Sequence, residues 1–505
     1  MRGEETAGAE VVVVGGGPVG MLLAAELAGY GVDTVLLESG GAVSDWPRAT
    51  TLHARAVQIL ARRGHLPGPV RAYRDGPGES PFHFAGLPGL AITTPANEPA
   101  PVLKCVQAEL ERHFEARARE AGARVLRGYR VTGVSQGADG VRVTAEGPHG
   151  TTVRTGRYAV GADGARSTVR DLVGIASDTH EATVSALAGT VTLARPDDLA
   201  PGWHQTPRGW IVAKHTADGR THLRTLNCSG AFAGRQAPPV LEELRGEVSW
   251  LAGRDIGMGD PQWLSRFSDF SRVARDFRAG RVFLAGDAAH VHFPIGGQGL
   301  SAGVLDALNL GWKLALAVNG RAAAGLLDTY DAERRPAAGR IVEQTRAQLA
   351  LMRPGPELDA LREVFTAMLP ADRAQGRLGA MISAQDTVLP GHEGPRGTGE
   401  FLSNLVLDTP DGETDVITLL RGGGPLLLLL GGESDRHAEE ARGWEGAVRV
   451  VRARPVTPLP FDAVLVRPDG YAAWVPGGRA LPDVLAQYLR QCSERGRGLP
   501  DPAEG

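Results

Sequence analysis

The chain has 505 residues and a formal net charge of −4 from 54 basic and 58 acidic residues, and 42% of its residues are hydrophobic. This length indicates two or three domains rather than one, and the balanced charge argues against a nucleic-acid partner. The three cysteines, at positions 105, 228 and 492, are too few and too far apart for a disulfide framework or a clustered-cysteine zinc site.

The same features predict the compartment. The chain has no run of 18 or more apolar residues, so no membrane span is expected. Residues 1–10 are polar and acidic, unlike a signal peptide. The few scattered cysteines fit a reducing environment. We therefore expect a cytoplasmic protein.

A βαβ unit is predicted at the start of the chain. The β-branched run at 10–14 predicts a buried strand, residues 21–30 have helical spacing and stop at a glycine, and residues 34–37 predict a second strand. The segment Gly15-Gly-Gly-Pro-Val-Gly20 between the first strand and the helix fits the pattern G-x-G-x-x-G, and the second strand ends at Glu38. This is the order of a dinucleotide-binding unit.

Each residue type of this motif has a physical role. Gly15 permits the tight turn, Gly17 lets the backbone approach a pyrophosphate at the helix N-terminus, and Gly20 permits close packing of helix on strand. The Glu38 carboxylate suits a ribose 2′-hydroxyl and repels a 2′-phosphate. The unit therefore favours FAD or NAD over NADP at this site.

The middle of the chain predicts a second, antiparallel sheet. Helices at 54–63 and 107–120, a hairpin that turns at Asp139-Gly140 and a strand at 158–162 come first. From about 175 to 275 the strands are short and alternate apolar with polar residues, as at 209–214 and 221–226. This pattern predicts a sheet inserted between two pieces of the nucleotide-binding domain.

The rest of the chain returns to that domain and then leaves it. A buried strand at 281–285 precedes a long helix at 299–319, and further helices continue to about 384. A glycine- and proline-rich linker follows at 390–397. The last hundred residues alternate strands with helices, which predicts a small separate α/β domain with strands at 425–430, 448–454 and 463–467.

A second candidate site lies between the strand at 281–285 and the long helix. Within Gly286–Gly299, Asp287 can hold sugar-like hydroxyls, and the glycines before the helix let it approach a planar ring. The positive helix N-terminus would stabilise negative charge on that ring, as on a reduced flavin. His290 and His292 have the spacing of a metal pair. No carboxylate or cysteine completes the set, so packing roles are favoured and no metal site is predicted.

A third segment, Gly161-Ala-Asp-Gly-Ala-Arg-Ser167, also lies between a strand and a helix. The three segments together resemble the G-x-G-x-x-G, D-G and G-D fingerprints of single-component flavoprotein aromatic hydroxylases, the para-hydroxybenzoate hydroxylase family. Further matches are Pro47-Arg48-Ala49 with Leu52-His-Ala-Arg55, Gln107 at the start of a helix, and Tyr330–Pro336. Within the family, the chain is most similar to hydroxylases of bacterial aromatic polyketide pathways.

This resemblance implies an activity and its cofactors. It implies tightly but non-covalently bound FAD, transient NADPH or NADH without a domain of its own, and oxygen transfer from dioxygen to a polycyclic aromatic polyketide through a flavin C4a-hydroperoxide. Arg48 matches the arginine beside the isoalloxazine and is the candidate catalytic residue. The cofactor-binding residues implied are Gly15, Gly17, Pro18, Val19, Gly20, Glu38, Ser39, Arg48, Gln107, Asp163, Gly286, Asp287, Pro294, Gly297, Gln298, Gly299, Leu300 and Ser301.

It also implies an α/β architecture in which a Rossmann-like FAD-binding domain carries an inserted antiparallel substrate sheet and a thioredoxin-like C-terminal domain. The expected boundaries are 1–174 and 276–389 for the FAD domain with its long helices, 175–275 for the substrate sheet and 399–505 for the last domain. Residues 466–474 resemble the closing strand motif of that last domain. No C-x-x-C occurs, so dithiol chemistry is excluded there and Cys492→Ser should leave turnover unchanged. The expected role of this domain is structural or in self-association. The protein itself is expected to be a monomer or a homodimer.

Two positions depart from the family pattern. Ser301 stands where an asparagine is expected near the pyrimidine edge of the flavin, and residues 401–404 replace a glycine–arginine–proline turn. No second G-x-G-x-x-G follows a predicted strand. The glycine run Gly422-Gly-Gly-Pro comes before a predicted strand instead, so it is interpreted as a loop. This absence argues against a separate nicotinamide domain.

The reaction and the substrate contacts stay open at this point. Oxygen insertion into a carbon–carbon bond (Baeyer–Villiger), oxidative ring cleavage or rearrangement of a similar polyketide, and a binding role without turnover are the alternatives to hydroxylation. Substrate contacts are expected in the inserted sheet, where each candidate could equally pack or face solvent: Trp203, His204, Trp210, His215, His222 and Arg224.

Overall fold

The computed structural model describes residues 5–46, 48–68, 76–232, 237–390 and 394–491, and shows a mixed α/β chain. Pro47 of the predicted arginine motif and Cys492 lie outside the described residues. The α-helices of the described part are α1 Pro18–Gly29, α2 Ala54–Arg62, α3 Gln107–Glu120, α4 Thr168–Leu172, α5 Leu241–Ala252, α6 Gly299–Val318, α7 Asp328–Met352, α8 Pro356–Met368, α9 Asp372–Ile382, α10 Val416–Leu420, α11 Ser434–Glu440 and α12 Leu481–Tyr488.

The strands fall into several sheets. In chain order they are β1 Glu5–Gly8, β2 Val11–Val14, β3 Thr34–Glu38, β4 Thr51–His53, β5 Gly78–Phe84, β6 Leu87–Thr94, β7 Val102–Lys104, β8 Arg124–Arg127, β9 Arg130–Gly137, β10 Gly140–Gly147, β11 Gly150–Gly156, β12 Tyr158–Gly161, β13 Ser177–His180, β14 Ser185–Leu193, β15 Gly202–Thr206, β16 Gly209–His215, β17 Thr221–Asn227, β18 Met258–Ser268, β19 Ser271–Ala274, β20 Arg278–Ala279, β21 Val282–Leu284, β22 His290–Val291, β23 Val406–Thr409, β24 Gly412–Asp415, β25 Leu426–Leu429, β26 Arg449–Arg452, β27 Arg454–Pro455, β28 Ala463–Val466 and β29 Ala472–Trp474.

A six-stranded sheet of order β20-β21-β12-β2-β3-β8 forms the centre of the molecule. Strands β8, β3, β2, β12 and β21 are parallel, so the loops that follow them lie at one edge. The predicted βαβ unit is confirmed, with one shift: α1 begins at Pro18 rather than Met21. Gly17 is the N-cap of α1 and has an extended backbone. Proline is favoured at the first position of a helix, because the N–H group at that position makes no hydrogen bond within the helix and its loss costs nothing.

Other differences from the sequence predictions concern strands held by distant partners. The first strand is β1, before the predicted start at residue 10, and it pairs with β11. The β5–β6 hairpin was not predicted, because residues 78–94 show little alternation. The hairpin at Asp139-Gly140 is confirmed as β9–β10.

The inserted antiparallel sheet is confirmed, with order β15-β16-β17-β14-β18. On β17, Thr221, Leu223 and Thr225 are buried toward α5: Leu223 packs in one core cluster with Leu244, and Thr225 hydrogen-bonds Glu247. The opposite face carries Leu226 beside Trp210. The face with Thr221, Leu223 and Thr225 is therefore packed against α5.

The long helix α6 connects two regions. Two 3₁₀ turns, Gly286–Ala288 and Ile295–Gly297, separate β21 from this helix, whose N-terminus follows the second turn. The rest of α6 is buried, and its last turns pack against the C-terminal part of the chain. There the sheet order is β26-β25-β28-β29, with β26 parallel to β25 and the other pairs antiparallel.

Candidate cofactor and substrate site

The glycine loop after β2 is shaped by contacts that leave no room for side chains. Gly15 has φ +106°, and a Cβ there would lie 2.4 Å from the Ala162 carbonyl oxygen. A Cβ at Gly20 would lie 2.0 Å from the Gly15 carbonyl oxygen. A Cβ at Gly17 would meet nothing within 4 Å. The loop is therefore closed on the protein side and open in front of the N-terminus of α1.

The next two predicted residues belong to α1 itself. Pro18 is its first residue, and Val19 packs between two glycines of the second site. A Cβ at Gly286 would lie 3.1 Å from Val19 Cγ2, and one at Gly303 would lie 2.5 Å from it. Val19 therefore holds α1 against α6 rather than offering a polar contact to a ligand.

Glu38 lies over the glycine loop at the end of β3. Its Oε2 accepts the Gly16 N–H at 2.5 Å, and its Oε1 accepts the N–H of Gly40 and, at 3.3 Å, the Ser39 hydroxyl. Each oxygen keeps lone-pair capacity for another donor. Ser39 is exposed beside it, and Glu38 itself is half-buried. The carboxylate is thus fixed where the β2 and β3 loops meet, as ribose binding requires.

Asp163 follows β12 and caps α4. Its Oδ1 accepts the Ser167 hydroxyl at 2.5 Å, and its Oδ2 accepts the Val169 N–H at 3.0 Å. Burial raises the pKa of this carboxyl, and the Ser167 hydrogen bond opposes the shift. Its backbone also abuts the glycine loop, since a Cβ at Gly15 would lie 2.7 Å from the Asp163 Cα. Its direct contact with a cofactor stays a prediction.

The turn after β21 presents Asp287 to solvent. Gly286 takes the left-handed conformation, with φ +60°, which exposes the Asp287 side chain while its neighbours are buried. The surrounding protein desolvates the carboxylate and raises its pKa, and the charges of His290 and Arg48 oppose that rise. Asp287 is therefore accessible to a ligand, and its contact with a cofactor stays a prediction.

A buried network that sequence reasoning missed supports this turn. Asp306 on α6 is fully buried; its Oδ2 accepts the Gly286 N–H at 3.0 Å and pairs with His290 Nε2 at 2.7 Å, and its Oδ1 accepts Arg334 Nε at 2.7 Å. Burial opposes ionisation, but Arg334 and His290 hold the pKa of Asp306 below its usual value. The only sequence signal was one acid inside the apolar α6.

The two histidines of the second site and Arg170 also have structural contacts. His290 stacks on Phe277 with ring centroids 6.0 Å apart, and His292 Nδ1 lies 2.9 Å from the Phe293 carbonyl oxygen. Within the described ranges, no group of three metal-ligating residue types is found. Arg170 was also missed: it is buried after the D-G turn and donates to the Ala288 carbonyl at 3.1 Å. It ties the D-G turn to the G-D turn.

The segment before α6 forms the wall expected to face a planar ring. Gly296 and Gly297 both have left-handed φ, of +72° and +62°. Pro294 and Gly297 are exposed, Gln298 is buried, and Gly299 and Leu300 are half-buried. The Ser301 hydroxyl accepts the His53 N–H at 3.0 Å. Ser301 therefore holds β4 against α6, so its side chain already has a protein partner.

Arg48 lies in the exposed loop before β4. Its loop is fixed at the far end by the Gln107 N–H, which donates to the Ala49 carbonyl at 3.0 Å at the start of α3. No hydrogen bond or ion pair to Arg48 occurs in the part of the chain that the structure describes. Its charge acts on both Asp287 and Glu111. The Arg48 guanidinium therefore acts on the G-D turn through its charge and has no hydrogen-bond or ion-pair partner among the described residues.

Aromatic rings of β5 and of the inserted sheet pack together in a group called here the aromatic wall. The His83 ring centroid lies 4.8 Å from that of Phe82 and 4.7 Å from that of Trp203, which in turn lies 6.1 Å from Trp210. Of the other predicted contacts, His204 and His215 bond the carbonyls of Ala200 and Leu199, and His222 bonds Thr190. These three histidines are therefore engaged with their own sheet, and Arg224 is exposed on the same face as His222.

The residues fit FAD on three observations. The open space before α1 admits a pyrophosphate, the Glu38 carboxylate reaches over it for a ribose, and the N-terminus of α6 follows a glycine turn that leaves a flat approach. Together they define an FAD-binding oxidoreductase.

Comparisons with known proteins agree with this class. Residues 8–345 match the family model described as FAD binding domain, and residues 396–495 match aromatic-ring hydroxylase, C-terminal. The chain belongs to the family of FAD-dependent aromatic-ring hydroxylases, and it is a flavoprotein monooxygenase by membership. NADPH or NADH is the usual reductant of this family.

Three similar proteins illustrate the range of the family. A 12-dehydrotetracycline 5-monooxygenase/anhydrotetracycline 6-monooxygenase of Streptomyces rimosus is 37% identical over 95% of this chain and 98% of its own length. A dialkyldecalin synthase of Streptomyces rugosporus is 36% identical over 92% and 95%. The solved structure of an anhydrotetracycline hydroxylase from Streptomyces rimosus is 35% identical, with a TM-score of 0.86 over 96% of this chain and 99% of that one.

A search of the described helices finds none long and apolar enough to cross a membrane.

Proposed function

We propose that the protein hydroxylates a polycyclic aromatic polyketide in bacterial natural-product biosynthesis, with NADPH or NADH and dioxygen as co-substrates. The observation that carries the proposal is the proximity of the aromatic wall to the glycine turn before α6: the His53 ring contacts Phe82 of the wall, with centroids 5.1 Å apart, and its Nε2 lies 2.8 Å from the Gly296 carbonyl oxygen. The similarity to the tetracycline oxygenase supports a polycyclic phenolic substrate. Bound FAD supplies the transfer of electrons from the nicotinamide and the activation of dioxygen.

The chain's own residues bind and orient. Gly17 and the N-terminus of α1 would hold the pyrophosphate of FAD, and Glu38 would accept hydrogen bonds from its ribose hydroxyls. The N-terminal N–H groups of α6 would stabilise negative charge on a ring bound before them. The exposed Arg48 would add a positive charge near Asp287, and the aromatic wall would shield the substrate from water.

The finer predicted site residues and domain limits belong to this proposal. We assign the FAD domain to residues 1–174 and 276–389, the substrate sheet to 175–275 and the last domain to 399–505. The order β26-β25-β28-β29, with one parallel and two antiparallel pairs, supports a thioredoxin-like topology for the last domain. A cytoplasmic location and a monomer or homodimer complete the proposal.

The test begins with the purified protein, which should be yellow and hold one FAD per chain. NADPH oxidation is then measured with and without anhydrotetracycline and 1,8-dihydroxyanthraquinone. Hydroxylation predicts ligand-stimulated oxidation and a product with its ring skeleton intact by NMR. A cleaved or enlarged ring would indicate oxygen insertion instead. A colourless protein that cannot be reconstituted with FAD would contradict the proposal.

A further inference from the structure

Two buried amide groups converge on the glycine turn before α6. A methyl group placed on the Gly296 Cα would lie 3.3 Å from Gln298 Nε2 and 3.5 Å from Gln348 Nε2. Gln298 is 2% exposed and Gln348 is fully buried. Neither nitrogen has a hydrogen-bond partner among the described residues. Two N–H₂ groups therefore point at one small region without an acceptor, which costs free energy unless a ligand supplies one.

The orientation of Gln348 is fixed by the backbone. Its Oε1 accepts the Ala85 N–H at 3.2 Å, from the turn of the β5–β6 hairpin. Turning the amide over would place its NH₂ group against that N–H. The hydrogen bond to Ala85 therefore commits the NH₂ group to the side of Gly296.

The surroundings select the acceptor. Gln348 is followed by Leu349, Leu351 and Met352, which pack in one apolar cluster with Trp210 and Leu226 of the inserted sheet. Burial lowers the pKa of the nearby His53 to about 4, and this ring donates from Nε2 to the Gly296 carbonyl at 2.8 Å as a neutral imidazole. With no cation among these three groups, a phosphate is disfavoured. A carbonyl or phenolic oxygen on an aromatic ring system suits two neutral donors in an apolar wall.

We propose that Gln298 and Gln348 form a two-donor site for a carbonyl or phenolate oxygen of the aromatic substrate. Gln348 donates to this oxygen from α7, on the side of the inserted sheet. The proposal rests on the proposed function. The same donor chemistry could serve a carbonyl oxygen of the flavin. The approach of Gln348 from α7 and from the cluster shared with the inserted sheet favours the substrate.

The test compares Gln348→Met with the matched control Gln375→Met in the FAD-loaded protein. Gln375 lies on α9 and donates to the Gly89 carbonyl of β6 at the exposed side of the hairpin. Dissociation constants are measured for FAD, for 1,8-dihydroxyanthraquinone and for 1,8-dihydroxyanthracene, which lacks the ring carbonyls, and for anhydrotetracycline. We expect Gln348→Met to weaken binding of anhydrotetracycline and of the quinone about tenfold and to leave FAD affinity within about twofold. The anthracene keeps its two phenol groups, so a smaller loss for it assigns the donors to a ring carbonyl and an equal loss assigns them to a phenol oxygen. Gln375→Met should change none of these affinities.

Other outcomes overturn the inference in distinct ways. A change in FAD affinity with unchanged ligand affinity assigns the donors to the flavin, and no change in either assigns them to a water molecule. If Gln348→Met does not fold, Gln348→Glu keeps the acceptor for Ala85. Quinone affinity should then fall further as the pH is raised and the carboxylate ionises, and a pH-independent, wild-type affinity overturns the inference. A wild-type protein that neither binds these ligands nor oxidises NADPH in response contradicts the proposed function itself.

Discussion

The two ends of α6 differ in whether their polar groups have partners in the protein. At its N-terminus, Asp287 is exposed, Arg48 has no partner in the described ranges and the amides of Gln298 and Gln348 lack acceptors. Toward its C-terminus, Lys313 and Asn309 enter a network with Glu333 of α7 and with Arg467 and Asp469 of the last domain. Arg467 donates to Glu333 at 2.7 and 2.8 Å and to Asp469 at 2.6 Å, and Lys313 Nζ lies 2.8 Å from Glu333.

This difference distinguishes the N-terminal end of α6, where we propose that a ligand binds, from its C-terminal end. At the C-terminal end the buried ion pairs form a structural joint between α6, α7 and the last domain. The buried network balances two cations with two carboxylates and leaves no lone group for a ligand. Burial disfavours the Glu333 carboxylate, but Arg467 and Lys313 hold its pKa well below the usual value. At the other end, the two buried amides without acceptors cost free energy unless something binds there, whereas the exposed Asp287 and Arg48 are available to a ligand. The last domain is therefore joined to the FAD domain through buried ion pairs.

Breaking the joint should have the largest effect. Arg467→Met leaves Glu333 and Asp469 as buried, under-compensated carboxylates, and should lower the free energy of unfolding by about 3–5 kcal/mol. Urea unfolding followed by tryptophan fluorescence measures this loss. Arg436→Met removes an exposed arginine paired with Glu433 and Glu440 and should give no measurable change. Equal stabilities of the two variants would contradict the distinction.

A second joint, between α1 and α2, should appear as sensitivity to acid. Glu26 is 1% exposed and pairs with Arg63 at 2.9 Å and His65 at 2.7 Å; burial opposes ionisation, but these partners lower its pKa to about 2. Because the folded pKa lies below the unfolded value, the stabilisation is complete above about pH 4.5 and is lost as the pH falls toward 2. The loss should be about 3 kcal/mol. Glu26→Gln should flatten this slope in urea titrations across the same pH range, and an unchanged slope would exclude Glu26 as its source.

At the ligand end, Glu38→Ala should act on cofactor affinity and spare the fold. Loss of the charged acceptor removes about 1.5–3 kcal/mol, so the dissociation constant of FAD should rise about tenfold to a hundredfold. Flavin fluorescence titration of the apoprotein measures it. Asp33, just before the other end of β3, is exposed and paired with Arg124, and Asp33→Ala should leave FAD affinity unchanged. Similar affinities for the two variants would remove Glu38 from the ribose site.

The smallest expected effect is at Arg48. A cation beside the ring favours its reduced, anionic form, and a differential interaction of about 1.4 kcal/mol shifts a two-state ratio tenfold. Arg48→Ala should therefore slow flavin reduction or raise hydrogen peroxide release about tenfold, with FAD affinity changed less. Stopped-flow reduction and peroxide assays measure both, and the control is Arg112→Ala, which removes the exposed partner of Asp45 in the same loop. Wild-type reduction and coupling in Arg48→Ala would make Arg48 a surface residue only.

The sequence predicted the ligand end better than the joints, for a physical reason. Glycine loops and Glu38 are specified by local spacing, because a tight turn and a helix start need particular residues within a few positions. Asp306, Arg170 and Gln348 gain their roles from partners 16 to more than 260 residues away. Their only local signal is a polar residue in an otherwise buried stretch, and this signal does not identify the partner. Strand β1 and the β5–β6 hairpin were missed for the same reason, since pairing and not alternation defines them.

The most direct test of the account is a turnover in ¹⁸O₂ with NADPH and the polycyclic quinone that best stimulates NADPH oxidation. A flavoprotein monooxygenase predicts a product that gains one oxygen atom, carrying the label, for each NADPH consumed in coupled turnover. This test is needed because the dialkyldecalin synthase, at 36% identity to this chain against 37% for the tetracycline monooxygenase, is named for a different activity. A product with the substrate's mass, or an added oxygen without the label, would contradict the assignment of this site to oxygen transfer.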